Sequence, residues 1–319
     1  MSASSALPVL AIDVGGTKLA AGLVDTDGQV LSSYAVPTPP AGDAETVWST
    51  LLTLLDRALA QAEPAGAAGI AGVGVGCGGP MRWPAGEVSP LNLPGWRGFP
   101  LRARLQERYP GVPVRLHNDA VALVAAEHWQ GAARGHDHVL AVIVATGVGG
   151  GLVLGGRVVD GATGNAGHVG HVVVDPVGPD CGCGGRGCLE AVARGPALAA
   201  WALGQGWEPT GEPTAVALAA DARQGHPVAV AAFDRCGAAL GVAIASVVHT
   251  CDLDVVVVGG GISGAWDLVQ PPLEAALRRH AGLPFARQVP VVPAALGAAA
   301  FLVGAAALVL RGEDYWGGG

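Results

Sequence analysis

The sequence predicts an α/β fold built from two related halves. Three observations carry that expectation. Apolar runs of strand length alternate with longer stretches of helical period. Two of those runs, 9–14 and 139–146, end in glycine turns of one type, Gly15-Gly16 and Gly147 with Gly149, Gly150 and Gly151. No long linker or low-complexity tract divides the chain, so the boundary is soft and falls near 115–120. The expected domains are 1–117 and 118–296, with a last helix over 297–319 that can rejoin the first.

The elements follow in order. The run 9–14 is a strand ending at Asp13-Val14-Gly15-Gly16-Thr17-Lys18. A second strand, 19–24, reaches the hairpin signal Asp27-Gly28, and a third covers 30–36 before the loop 37–42. Over 43–62, Val47, Leu51, Leu54, Leu55, Ala58 and Leu59 share one helical face and Asp43 can cap the start. Strands are expected at 69–75 and 114–117, then a helix at 119–130. The strand 139–146 is followed by a hairpin turn at Gly155-Gly156. Helices near 189–204 and 228–250 precede a valine strand, 254–258, that ends in Gly259-Gly260-Gly261. Helix, strand and helix complete the chain.

Composition narrows the function. The chain has 319 residues, enough for one large or two ordinary domains. Half are hydrophobic but only 5% are aromatic, and glycine is abundant, so the core uses small residues and close backbone approach. A net charge of −8 argues against nucleic acid and against an anionic membrane surface. The start lacks the basic region of a secretory signal, and the expected location is cytoplasmic. Residues 289–310 are uncharged over a bilayer-spanning length. Pro290 and Pro293 interrupt them, and a buried strand plus a small-residue core helix is the expectation. Lys18, the only lysine among 18 basic residues, falls inside the first glycine turn.

The most specific motif is Cys181-Gly-Cys183-Gly-Gly-Arg-Gly-Cys188, with His171 ten residues upstream. Thiolates and imidazole are preferred ligands of zinc, and four of them close a tetrahedral structural site. The intervening glycines let a tight loop turn all three sulfurs inward. Cys77, Cys236 and Cys251 are expected as buried thiols, since the context does not favour a disulfide framework.

The glycine turns suit a nucleoside triphosphate. Gly15 and Gly16 let backbone N–H groups approach phosphate oxygens, Thr17 adds a hydroxyl and Lys18 positive charge. Asp13, at the strand end, can hold Mg²⁺. Thr146, Gly147 and Gly149 repeat the device, and Gly259, Gly260 and Gly261 suit the nucleoside end. Each of these turns also has an ordinary structural reading, and the first is neither a Walker loop nor a dinucleotide fingerprint. Asn118-Asp119 follows a buried strand. Asp119 is either a plain helix-start carboxylate or a base that takes the proton of an attacking hydroxyl, with Asn118 orienting the same substrate.

These pieces, AIDVGGTK (11–18), HNDA (117–120), ATGVGGG (145–151), AGHVGH (166–171), CGCGGRGCLE (181–190) and VVVVGGGIS (255–263), resemble the ROK family of repressors, open reading frames and sugar kinases. The resemblance spans about 9–310. It implies a two-domain actin-like ATPase (ribonuclease H-like) fold with a cleft between the domains. It also implies transfer of the γ-phosphoryl group of ATP to the 6-hydroxyl of a hexose, with Mg²⁺ and a structural Zn²⁺, in a homodimer. By position, Asp13 and residues 15–18 serve Mg²⁺ and phosphate, Thr146 to Gly151 phosphate, and Gly259 to Gly261 adenosine. Asn118, Asp119, Glu190 and His171 bind the sugar, with Asp119 as base and His171 also a zinc ligand. Gly79 and Asn92 match further sugar-side positions.

One departure bears on specificity. Glucokinases of the family usually carry Glu where this chain has His168. N-acetylmannosamine kinases resemble it there, and in Asp175-Pro176-x-Gly178-Pro179. The expected substrate is thus an N-acylhexosamine, N-acetylmannosamine first. A glucokinase is the alternative, since Leu93-Pro94-Gly95-Trp96 resembles that group. A sugar-responsive repressor is the alternative of another class. Repressors of the family carry a helix-turn-helix before the first glycine turn, which here begins at residue 13. A polyphosphate-dependent glucokinase ranks lower because those enzymes generally lack the cysteine loop, and a binding protein without turnover ranks lower because Asp13 and Asp119 are both present.

Overall fold

The computed structural model of the chain describes residues 7–39, 43–60 and 69–317. It forms two compact units. Of the described residues, one comprises those within 1–135, 151–166 and 296–319, the other 136–150 and 167–295.

The first unit is built on five strands, β1 (Val9–Val14), β2 (Lys18–Val24), β3 (Val30–Pro37), β4 (Gly72–Cys77) and, after the small hairpin β5 (Met81–Arg82) and β6 (Glu87–Val88), β7 (Val114–Asn118). Their order is β3-β2-β1-β4-β7. β1, β2 and β3 form an antiparallel meander, while β4 runs parallel to β1 and β7 parallel to β4. Strand alternation divides β1 between two cores. Leu10, Ile12 and Val14 pack with Leu51, Leu54 and Leu55 of α1 (Ala44–Ala60) and with Leu101 and Leu105 of α2 (Leu101–Arg108). Val9 and Ala11 point the other way, against Leu302, Ala305 and Ala306. Asp13 shares the register of Val9 and Ala11.

The expected strands, the Asp27-Gly28 turn (Gly28 φ +82°) and the cap by Asp43, whose Oδ1 accepts the Thr46 N–H at 2.7 Å, are all present. The strand expected at 69–75 is shifted to Gly72–Cys77. Residues 40–42 of the expected loop, 61–62 of the expected helix and 318–319 lie outside the described residues.

Helix α3 (Asp119–Gln130) begins where expected. The sequence reading starts the second domain at 118, yet 118–135 and 151–166 group with the first unit. Small residues supply the reason. A Cβ on Gly304 would run into the Ala122 carbonyl of α3, and one on Gly74 into the Ala305 carbonyl. Backbone therefore lies directly on backbone where the C-terminal helix crosses α3 and the sheet.

A second sheet has the order β10-β9-β8-β11-β12, with β8 (Val139–Val144), β9 (Val148–Leu154), β10 (Arg157–Val158), β11 (Val255–Gly259) and β12 (Val291–Pro293). β8 and β11 run parallel and are buried throughout. That burial on both faces explains their unbroken apolar sequence. The helix expected near 189–204 is two helices, α4 (Leu189–Ala193) and α5 (Gly195–Gly204), broken at Arg194, whose extended backbone lets Pro196 open α5. The sequence reading missed α6 (Ala215–Arg223).

Helix α7 (Pro227–Cys251) is long and apolar enough to span a bilayer, but 61% of its apolar window is buried. It packs on α8 (Trp266–His280), and a Cβ on Gly237 or Gly241 would come within 2.6 or 2.5 Å of α8 carbonyls. After α9 (Pro284–Arg287), residues 289–310 resolve into β12 and α10 (Ala300–Leu310). The helix is buried as expected, whereas the strand is half-exposed. α11 (Gly312–Trp316) ends the described chain.

Candidate active site and metal centre

In the first unit, strand register gathers the polar residues. β1, β4 and β7 are parallel, with Asp13 opposite Gly76 and Gly76 opposite His117. Their carboxyl ends therefore emerge together, the place where open α/β sheets bind ligands. Asp13 and Asn118 are buried, at 7% and 6% exposure.

The turn after β1 is held by the Gly15 N–H donating to the Lys18 carbonyl at 3.0 Å and by the Thr38 hydroxyl donating to the Gly15 carbonyl at 2.7 Å. Thr38, buried at the end of β3, was not foreseen; a lone threonine beside prolines carries no motif. The Thr38 N–H also donates to the Thr17 carbonyl at 3.0 Å. Asn92 lies against this turn, and a Cβ on Gly16 would come within 2.6 Å of its side chain. Asn92 also borders Gly78, and Gly79 accepts the Leu91 N–H at 3.2 Å. The first glycine turn, the Gly78-Gly79-Pro80 turn and Asn92 are thus neighbours, although nearly eighty residues separate the ends of that set.

Asn118 caps α3, its Oδ1 accepting the Ala120 N–H at 2.9 Å, and Asp119 opens the helix. The Asp119 carboxylate accepts the same N–H at 2.8 Å. Burial raises the Asp119 pKa, and hydrogen bonds from the Ala120 and Asp119 N–H groups restrain the rise. Asp13 is pushed up to about 7, first by burial and then by the charge of Asp119, while Lys18 pulls it down. Two carboxylates within electrostatic reach, both driven toward the neutral form, call for a cation or a proton.

In the second unit, β8 and β11 are neighbours with Ile143 opposite Gly259, so the turns that follow them share one end of the sheet. Gly260 has φ +85°, and a Cβ there would come within 2.6 Å of the Val144 carbonyl. Gly261 faces open space. Thr146 is exposed, and Gly147 and Gly149 are half-buried. Glu190, in the first turn of α4, accepts the Val148 N–H at 2.9 Å. His168 caps and His171 ends a short 3₁₀ turn, Val169–His171, with ring centroids 6.2 Å apart and planes 20° from parallel.

The cysteine loop closes as expected. The ligand atoms of His171, Cys181, Cys183 and Cys188 all lie within 4.8 Å of one another. Cys181 Sγ is 3.8 Å from His171 Nδ1, and the Sγ atoms of Cys183 and Cys188 are 3.8 Å apart. With Zn–S near 2.3 Å, a tetrahedron has edges of about 3.8 Å, so the donor set fits zinc. Gly184 (φ +89°) and Gly187 (φ +68°) make the turns, and a Cβ on Gly187 would strike the Asp175 carbonyl. Burial pushes the Cys188 thiol up to about 12 and raises Cys181, whereas the Gly185 N–H first of all lowers Cys183. A divalent ion would offset the desolvation that opposes the first two thiolates. Of the other cysteines, Cys77 and Cys236 are buried, but Cys251 is half-exposed at the end of α7.

The sequence reading also missed Asp160, which meets His117 beside Asn118; nothing in the chain between them, over a separation of 43 residues, signals that pairing.

Comparison with known proteins shows the family. The family model described as the ROK family matches residues 9–312. The chain is 35% identical over 318 residues to a glucokinase of Thermotoga maritima, covering 95% of this chain and 97% of that protein. It is 38% identical over 256 residues to an N-acetylmannosamine kinase of Escherichia fergusonii, covering 80% and 84%. The crystal structure of a ROK family glucokinase from Streptomyces griseus, in complex with glucose and AMPPNP, superposes with a TM-score of 0.81 at 34% identity, covering 94% of this chain and 98% of that one. The α/β architecture is the actin-like ATPase fold of such kinases, and this chain belongs to the ROK family.

Proposed function

We propose that the chain is an ATP-dependent sugar kinase that phosphorylates the 6-hydroxyl of a hexose or N-acylhexosamine, with N-acetylmannosamine the favoured acceptor. The observation that carries the reading is the pairing of Asp13 with Asn118-Asp119 at the carboxyl ends of parallel strands, beside the turn of Gly15, Gly16, Thr17 and Lys18.

The roles follow from chemistry. Asp119 accepts the proton of the attacking hydroxyl, whose oxygen forms the new bond to phosphorus as the bond to the leaving ADP oxygen breaks. A carboxyl group raised by burial suits a base working near neutral pH, and hydrogen bonds from the Ala120 and Asp119 N–H groups oppose the rise. Asn118 positions the acceptor. The turns of residues 15–18 and 146–151 serve the phosphates, and 259–261 serve the nucleoside. Asp13 would hold Mg²⁺, which when bound neutralises charge on the phosphates. The zinc centre keeps the segment carrying His168 and His171 beside the one carrying Glu190, and those three side chains take sugar hydroxyls along with Gly79 and Asn92.

The favoured acceptor rests on His168, which offers a donor and an acceptor where a glutamate offers only acceptors. A glucokinase is the second reading, and the near full-length match to the Thermotoga maritima protein favours it. The Leu93-Pro94-Gly95-Trp96 motif speaks less for glucose than its sequence suggests. Trp96 is fully buried, stacks on Phe99 at 4.2 Å and donates to the Ala44 carbonyl, a core role that any sugar would leave unchanged.

The test is ADP release with glucose, N-acetylmannosamine, N-acetylglucosamine, mannose and fructose, for wild type and Asp119→Asn. The expected result is release with one of these sugars and loss of about 10²–10⁴-fold in kcat for the variant, with sugar binding retained. No release with any hexose refutes the kinase reading, and substantial turnover by Asp119→Asn removes that residue from the base role.

A further inference from the structure

His117 immediately precedes the Asn118-Asp119 pair and is 2% exposed. Its two ring nitrogens are both engaged. Nδ1 lies 2.8 Å from the Asn118 backbone nitrogen. A backbone N–H can only donate, so Nδ1 must present its lone pair. Nε2 lies 2.9 Å from Asp160 Oδ1. A carboxylate can only accept, so the ring proton belongs on Nε2. The hydrogen-bond network thus selects one tautomer of the imidazole.

Asp160 is itself fixed. It accepts the Trp316 indole N–H at 2.9 and 2.8 Å through its two oxygens. Its loop is anchored to the β5 strand, where Asn165 accepts the Met81 N–H at 3.1 Å and donates to the Met81 carbonyl at 2.9 Å. Two indoles neighbour the His117 ring, with the Trp83 and Trp316 centroids each 6.3 Å away. A buried imidazole oriented by a carboxylate is a known way to hold a neighbouring group at fixed geometry.

We propose that His117 is a positioning residue. Held as the Nε2–H tautomer by Asp160, it accepts the Asn118 N–H and thereby sets the first turn of α3, on which Asn118 and Asp119 stand. It touches no reacting atom itself. This inference rests on the reading of Asp119 as the base, because only then does the setting of that turn govern turnover.

Two substitutions separate this role from mere packing. His117→Asn retains an acceptor at the position of Nδ1 and gives up the contact with Asp160. His117→Gln retains a donor at the position of Nε2 and gives up the acceptor for Asn118. The expected result is that His117→Gln loses roughly tenfold to a hundredfold in kcat, the cost of a misplaced catalytic group, with KM for the sugar within a few-fold. His117→Asn keeps most of the wild-type kcat. Equal losses in both variants, or none in either, overturn the proposal.

A readout without turnover accompanies the kinetics. Nitrogen-15 NMR of the free protein should find His117 protonated on Nε2 and bare on Nδ1, and the opposite tautomer also overturns the proposal. Failure of the Asp119 reading looks different. There Asp119→Asn turns over normally while the tautomer of His117 is still Nε2–H.

Discussion

Glu190 accepts the Val148 N–H at 2.9 Å, and this bond ties the glycine turn after β8 to the helix that follows the cysteine loop. A side chain proposed to bind sugar therefore also shapes a turn proposed to bind phosphate. A Cβ on Gly147 would come within 2.9 Å of the same carboxylate oxygen, so a side chain there would push on Glu190.

The first prediction concerns this bond. Glu190→Gln keeps an oxygen that can accept from Val148 and should melt close to wild type. Glu190→Ala leaves the N–H without its partner and should lose about 1–2 kcal/mol. Both should raise KM for the sugar, the alanine variant more. Chemical denaturation and steady-state kinetics read the two effects, and an unchanged KM in Glu190→Ala would remove that residue from the sugar site.

The metal centre predicts composition and stability together. Elemental analysis of freshly purified protein should find one zinc per chain. Cys188→Ser should lose it and melt roughly 5–10 °C lower, since metal affinity here is folding free energy. His168 and His171 sit on the turn that a bound zinc would anchor, so KM for the sugar should rise as well. Zinc-free protein of full stability would refute the structural role.

Asp13 predicts a dependence of stability on pH. Burial and then the charge of Asp119 hold it at about 7, against an ordinary value of 3.8. The native protein thus keeps a proton that the unfolded chain has released. That contribution is present in full below the ordinary value and is lost as pH rises through 7. Without nucleotide or metal, wild type should therefore lose stability between about pH 4 and 7. Asp13→Asn should flatten the curve and gain at most about 4 kcal/mol over wild type at pH 8. Parallel stability curves for the two proteins would contradict the shift.

Specificity provides the last prediction. His168→Glu replaces a donor-acceptor ring with a pure acceptor and should move the kcat/KM ranking toward glucose and away from N-acetylmannosamine, on the order of tenfold. An unchanged ranking would mean that His168 does not discriminate, while leaving the kinase assignment intact.

Much of this protein is determined locally and could be read directly. The apolar run 9–14, the Asp27-Gly28 turn, the Asp43 cap and the cysteine spacing each act over a few residues, and each appears where expected. The glycine turns were legible for the same reason, because a chain that must bend sharply at a strand end leaves that demand in its own residues. Tertiary structure decided the rest. Only parallel register sets Asp13 level with Gly76 and His117, and packing against the first sheet and the last helix joins α3 to the first unit. Asn92 against Gly16, and Asp160 on His117, are meetings of distant segments. The physical reason is range. Caps, turns and a compact ligand loop depend on neighbours along the chain, whereas hydrogen bonds and close packing between remote segments depend on where the whole fold carries them.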